Sequence, residues 1–141
     1  MADRYALTVA RFYEDLADRL IDGATRVLSE AGAEYELHEV PGSFELPLAA
    51  RFCAESGRYA GVVCLGAVIR GETDHYDFVC SEAASGIARV GLDTGVPCSF
   101  GVLTVENMDQ ALARLGDKRH QGEDAAHAVL RMAELRRELG T

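Results

Sequence analysis

The period of apolar and polar positions changes repeatedly along the chain, and each change predicts an element. Arg4 to Ala10 reads as a first strand. After Arg11-Phe12-Tyr13 the period lengthens, with Leu16, Leu20, Ala24, Val27 and Leu28 at helical spacing and Gly32 as the natural stop. Glu34 to Val40 alternates, as an outer strand does, and Pro41-Gly42 breaks it. Ser43 is placed to cap the next helix, with Phe44 and Glu45 in its first turn and Pro47 where a missing N–H is tolerated; this helix is expected to run to about Gly57. Val62 to Ile69 is apolar without alternation, which predicts a strand buried on both faces in mid-sheet. A long helix follows from about His75 to Thr94, closed by Gly95 and Pro97. Cys98 to Val105 is a further strand, and Glu106 to Leu115 a short helix with an acid in its first turn. A last helix, about Gly122 to Leu139, carries Ala126, Val129, Leu130 and Ala133 on one face, with Arg131, Glu134 and Arg137 read as solvated.

Strand and helix thus alternate four times, with one extra C-terminal helix. That order predicts a four-stranded parallel sheet covered on both faces, an α/β/α sandwich of three layers. The 141 residues, 48% of them hydrophobic, suffice for one sizeable core, so residues 1–141 are expected to form a single domain. Acids outnumber bases 23 to 14, for a net charge of −9, which argues against nucleic acid or an anionic membrane as partner. Cys53, Cys64, Cys80 and Cys98 lie in apolar segments with no CxxC pair, the pattern of buried reduced thiols in a cytoplasmic protein. The first residues show no signal peptide and no stretch is long enough to span a membrane, so the protein is expected to stay where it is made.

Open parallel sheets bind ligands beyond the carboxyl ends of their strands, and three turns there carry more than connection requires. Arg11-Phe12-Tyr13 offers aromatics that serve either helix packing or a ligand. Pro41 to Pro47 contains a turn and a cap, which leave Phe44 and Glu45 unexplained. In Arg70-Gly71-Glu72-Thr73-Asp74-His75, Gly71 permits a left-handed backbone, and the following N–H groups would open a helix, either as a phosphate cradle or as a structural cap. The GxxxxGK spacing of a P-loop is absent. His75 is suited to proton transfer near neutral pH, although a structural role is open to it as well. A metal is not expected: Asp74, His75 and Asp77 are too close in sequence to converge on one ion, and no second histidine lies at i+4. His38, His120 and His127 read as surface or packing residues.

Three separated motifs, VPGSFELPLAA, GAVIRGETDHYDFV and PCSFGVLTVENMDQALAR, closely resemble the 6,7-dimethyl-8-ribityllumazine synthase family over nearly the whole chain. The resemblance implies a flavodoxin-like fold and a condensation, without cofactor, of 5-amino-6-ribitylaminouracil with 3,4-dihydroxy-2-butanone 4-phosphate, releasing phosphate and water. By matched position, Phe12 would stack on the pyrimidine; Ser43, Phe44 and Glu45 would hold that substrate, Glu45 accepting ribityl hydroxyl hydrogen bonds. Ala67, Val68 and Ile69 would offer backbone groups to the heterocycle, Glu72 and Thr73 would line the phosphate cradle, and His75 would shuttle protons. Phe100 would cover the ring from the other side and Arg114 would pair with the phosphate, both reaching into the site of a neighbouring subunit in a ring-shaped homopentamer.

This chain departs from the family pattern at several places. Tyr13 stands where Asn is usual, and Thr104-Val105 replaces a Thr-Thr pair. Gln121 holds the place of a lysine that would be a second phosphate ligand, which implies weaker phosphate affinity unless Lys118, Arg119 or His120 substitutes. The same segment bears on whether pentamers assemble further into a decamer or a sixty-subunit icosahedral shell. Two other classes compete: a flavodoxin-type module that binds lumazine or flavin without catalysis, and a shell-forming or regulatory paralogue. A flavodoxin would carry a Ser/Thr/Gly-rich phosphate loop after the first strand, where this chain has Arg-Phe-Tyr-Glu-Asp.

Overall fold

A computed structural model describes residues 2–71 and 75–140. The strands are β1 (Arg4–Ala10), β2 (Glu34–Val40), β3 (Gly61–Ile69) and β4 (Cys98–Val105). The helices are α1 (Glu14–Glu30), α2 (Leu46–Glu55), α3 (Tyr76–Thr94), α4 (Met108–Ala113) and α5 (Gln121–Glu138). The four strands form one parallel sheet in the order β2-β1-β3-β4, the flavodoxin-like three-layer arrangement expected from the alternation of elements. All nine residues of β3 are buried, as its unbroken apolar run requires of a central strand, whereas β2 at the edge is half exposed.

Side chains that alternate along each strand feed two cores. Tyr5, Leu7, Val9, Val63, Leu65 and Leu103 pack against Leu16, Leu20, Ala24 and Leu28 of α1 and Ala126, Val129 and Ala133 of α5. Ala6, Ala10, Val62, Cys64 and Val102 pack on the opposite face against Leu46, Ala50 and Cys53 of α2 and Ile87 and Val90 of α3. Chain order makes the sheet change direction between β1 and β3, since β1 leads outward to β2 on one side and β3 to β4 on the other. The loop leaving β1 enters α1 on one face, and the loop leaving β3 enters α3 on the other. A crevice therefore opens between these two carboxyl ends, the place where such sheets take ligands.

Several boundaries differ from the expected ones for identifiable reasons. Ser43–Glu45 is a 3-10 turn, α2 starts at Leu46, and the Ser43 side chain makes no cap. Pro47 has no N–H to donate to the Ser43 carbonyl, so the Leu46 N–H takes it and tightens the turn. The Gly42 N–H is held instead by Glu45 Oε1 at 3.0 Å. α4 begins at Met108 because Asn107 Oδ1 accepts from the Gln110 N–H at 2.9 Å, which leaves Glu106 outside and makes Asp109 the first-turn acid. His120, read as surface or packing, caps α5: its Nδ1 accepts from the N–H groups of Gly122 at 3.2 Å and Glu123 at 3.4 Å. Cys53 and Cys64 are buried, while Cys80 and Cys98 are only half-buried; all four are free. No helix among the described residues is long and apolar enough to cross a membrane.

Candidate active site

The crevice between the ends of β1 and β3 contains a cavity of about 170 Å³ lined by Phe12, Tyr13, Gly42, Ser43, Phe44, Ala67, Val68 and Val79. The sheet supplies its floor. β1 pairs with β3 only as far as Val9 opposite Leu65, while β3 stays paired with β4 up to Ile69 opposite Val105. From Gly66 onward β3 therefore has a strand on one side only, and backbone groups on the β1 side face the crevice with no ladder to satisfy. Ile69 itself is buried in the core beneath α1 and α5, so only its backbone is available to a ligand.

Two exposed aromatics form the walls. Phe12 is 65% and Phe44 57% exposed, although each sits on a short, well-tied turn. Arg11 anchors the first: its N–H donates to the Val40 carbonyl at 2.9 Å, and its guanidinium meets Asp18 at 2.9 Å and Glu39 at 3.0 Å. The 3-10 turn and the Glu45 contact anchor the second, which places the Glu45 carboxylate just outside the cavity. Between the aromatics Ser43 is 5% exposed, and its Oγ has no hydrogen-bond partner among the described residues. A buried hydroxyl of this kind calls for a polar partner, and the open side of the cavity is where a ligand would supply it. Gly66 makes the arrangement possible, since a Cβ there would lie 2.8 Å from Ser43 Oγ.

The turn after β3 begins with Gly71 at φ +84°, the left-handed geometry expected of it. Glu72 and Thr73, the expected phosphate cradle, lie outside the described residues. His75 is exposed and is the N-cap residue of α3, with its carbonyl accepting from the Val79 N–H at 2.9 Å. Arg70 straps the ends of this turn to the sheet: its guanidinium stacks over Tyr76 at 4.2 Å and pairs with Glu106 at 3.0 Å and Asp77 at 3.4 Å. Its pKa is raised, first by the hydrogen bond to Glu106. The two arginines at the crevice, Arg11 and Arg70, are thus both committed to carboxylates.

Phe100 and Arg114 are not in the cavity. Phe100 lies opposite Cys64 on β4, four positions below the level of Val68, or about 13 Å at the usual rise of a strand. Arg114, half-buried at the end of α4, pairs with no carboxylate among the described residues; its Nη1 donates to the Thr104 carbonyl at 3.4 Å. Gln121 joins these two, its backbone N–H donating to the Arg114 carbonyl at 2.8 Å and its amide to the Phe100 carbonyl at 3.4 Å. Phe12, Ser43, Phe44, Ala67 and Val68 are therefore brought together, while Phe100, Arg114 and Gln121 form a second group on the outer edge of β4. Tyr13 lines the cavity as well, which the sequence reading left between packing and ligand. No three His, Cys, Asp or Glu side chains among the described residues gather as a metal site would.

The fold and cavity define an α/β protein with an apolar-walled cavity at the strand switch point. Comparison with known sequences narrows that class. A profile of the family described as 6,7-dimethyl-8-ribityllumazine synthase matches residues 3–137. The chain is 48% identical over 136 residues to a protein of that name from Salinibacter ruber, covering 94% of this chain and 87% of the relative. Similar proteins bearing the same name come from Halorhodospira halophila, 49% identical over 140 residues (96% and 90% covered), and Syntrophus aciditrophicus, 45% over 140 residues (96% and 91%). The chain belongs to the 6,7-dimethyl-8-ribityllumazine synthase family.

Proposed function

We propose that this chain condenses 5-amino-6-ribitylaminouracil with 3,4-dihydroxy-2-butanone 4-phosphate to give 6,7-dimethyl-8-ribityllumazine, with release of phosphate and water. The observation that carries this reading is the cavity itself: an apolar slot between Phe12 and Phe44, floored by β3 backbone that has no strand partner on that side. Apolar walls suit the faces of a pyrimidinedione, and its edge amides and carbonyls suit the free backbone of Ala67, Val68 and Ile69. Ser43 helps to hold the pyrimidine substrate, and the Glu45 carboxylate accepts hydrogen bonds from its ribityl hydroxyls. Holding the two substrates together removes much of the entropic barrier to their condensation. His75, at the mouth of the turn, takes and returns protons during Schiff-base formation and phosphate elimination. By the family resemblance Glu72 and Thr73 are the residues that take the phosphate, and the reaction as written uses no cofactor.

The phosphate needs a cation that the crevice does not have to spare. Arg114 has one, outside the lining of its own cavity and against the Thr104 carbonyl. As the family resemblance implies, the active form is a ring-shaped homopentamer in which Phe100 and Arg114 of one subunit close the crevice of the next. Two features support this. At about 170 Å³ the cavity is smaller than the roughly 300–1,000 Å³ of a self-sufficient ligand pocket. Phe44, Leu48 and Phe52 follow one another at i, i+4 and i+8, with exposures of 57%, 58% and 64%, an apolar stripe that begins at the cavity wall. Such a stripe marks an interaction surface. The free thiols suit a reducing cytoplasm, which is where we place the enzyme.

Mixing the purified protein with both substrates and following lumazine absorbance and fluorescence tests the reading. Turnover above the uncatalysed condensation is expected. A protein that binds lumazine yet adds nothing to that background rate is a non-catalytic paralogue, and the reading is then wrong.

A further inference from the structure

Phe12 is an exposed ring on a turn, and an exposed side chain ordinarily samples several rotamers. Here its neighbour restrains it. The Phe12 and Tyr13 rings stand edge to face, with centroids 4.9 Å apart and planes at 78°. Tyr13 is half-buried, packed against the core beneath α1 and α5, and its carbonyl accepts from the Ala17 N–H at 2.9 Å as α1 begins. One ring of the pair is thus fixed to the core, and the other leans on it. The pair also forms a partition: it borders the 170 Å³ cavity on one side and, on the other, an open groove of about 650 Å³ whose far wall includes Met108 and Leu112. Without the Tyr13 ring, Phe12 has room to turn into that groove, toward two half-exposed apolar side chains.

We propose that Tyr13, which stands where the family usually has Asn, is a positioning residue that holds the Phe12 ring upright so that its face is preset for the flat substrate. This rests on the reading above, in which Phe12 stacks on the pyrimidine. Its physical effect is pre-organisation: a ring already immobile before binding loses no freedom on binding, which is worth roughly three- to tenfold in affinity for one side chain. The effect belongs to the pyrimidine, because Phe12 and Tyr13 border the cavity that takes its ring.

The experiment is steady-state kinetics for each substrate separately, with thermal melting alongside, on Tyr13→Leu, Tyr13→Phe, Phe12→Ala and the double variant Phe12→Ala/Tyr13→Leu. Tyr13→Leu is expected to raise KM for the pyrimidine roughly three- to tenfold while the KM for the phosphate ester is unchanged. Tyr13→Phe, which keeps the ring, restores the wild-type value. Phe12→Ala raises the pyrimidine KM, and the double variant is no worse than Phe12→Ala, because Tyr13 acts through Phe12. Should Tyr13→Leu fail to fold, Tyr13→Met fills similar space without a flat ring and carries the same expectations. The proposal is overturned if Tyr13→Leu leaves the pyrimidine KM unchanged while Phe12→Ala raises it, if the two single losses multiply in the double variant, or if Tyr13→Phe is as impaired as Tyr13→Leu. An unchanged KM in Phe12→Ala overturns the stacking reading itself, and the positioning role with it.

Discussion

The cavity between β1 and β3 and the outer edge of β4 are made of opposite materials. The cavity has two aromatic walls, a backbone floor and a buried hydroxyl, but its arginines are tied to carboxylates. The β4 edge has an aromatic, an amide and a guanidinium that meets no carboxylate among the described residues, and none of the three lines the cavity between β1 and β3. On the proposed reading, one region takes a flat ring and leaves a phosphate without a cation, while the other offers that cation. The difference locates the boundary of what one chain does alone. In a ring of subunits related head to tail each contact joins unlike surfaces, and in the proposed ring an edge of this kind would meet a crevice of this kind at every interface.

The strongest way to break this division is through His75, at the start of α3. His75→Ala is expected to lower kcat by about a hundredfold or more while both Michaelis constants hold, the size of a general acid–base contribution. An unchanged rate reassigns His75 to positioning. Arg114→Ala comes next: it is expected to cost roughly 1.5–3 kcal/mol in binding of the phosphate ester, as for a hydrogen bond to a charged group, with the pyrimidine KM unaltered. Equal losses for both substrates would make Arg114 structural and erase the distinction between the regions. Gly66→Ala probes the opposite side. Its Cβ would sit 2.8 Å from Ser43 Oγ and 3.1 Å from Ala10 Cβ, so Ser43 must shift. We expect a loss of about 1–3 kcal/mol of stability by denaturant unfolding and a raised pyrimidine KM, with phosphate-ester binding intact. Wild-type values throughout would show that the Ser43 geometry is not needed. Gln121→Lys is the gentlest: a partly exposed extra cation beside Arg114 should tighten phosphate-ester binding by about two- to fivefold, and less so at high salt. No change with salt would place position 121 away from the phosphate.

The architecture was readable in the sequence because its signals are local and strong. β3 is nine residues without a polar side chain, and only a central parallel strand accommodates that; α1 shows its buried face as Leu16, Leu20, Ala24 and Leu28. The boundaries that shifted depended on single hydrogen bonds. Pro47 withholds the N–H that would have made Ser43–Glu45 α-helical, Asn107 caps α4 two residues past Val105, and His120 caps α5 through a ring nitrogen that composition does not distinguish from a surface histidine. Phe12, Ser43 and Phe44 were legible as turns after strands, Ala67 and Val68 only through the family resemblance, and Val79, in the first turn of α3, not at all. That Tyr13 belongs with them was not legible either, because an aromatic at the start of a helix reads equally as core. Nor could spacing reveal that Phe100 and Arg114 stand apart from Phe12 and Phe44. Their separation is set by strand order and by register, with Phe100 opposite Cys64, and both are properties of the assembled sheet.

The central claim, that a working site takes its ring pocket from one chain and its cation from another, is tested most directly by complementation. Phe12→Ala carries an intact β4 edge and a damaged pocket; Arg114→Ala carries the reverse. Unfolded together in equal amounts and refolded, the two variants should regain activity that neither has alone, since roughly a quarter of the interfaces in a randomly mixed head-to-tail ring pair an intact pocket with an intact edge. Activity in the mixture equal to the mean of the separate variants would contradict the account and return the whole site to a single chain.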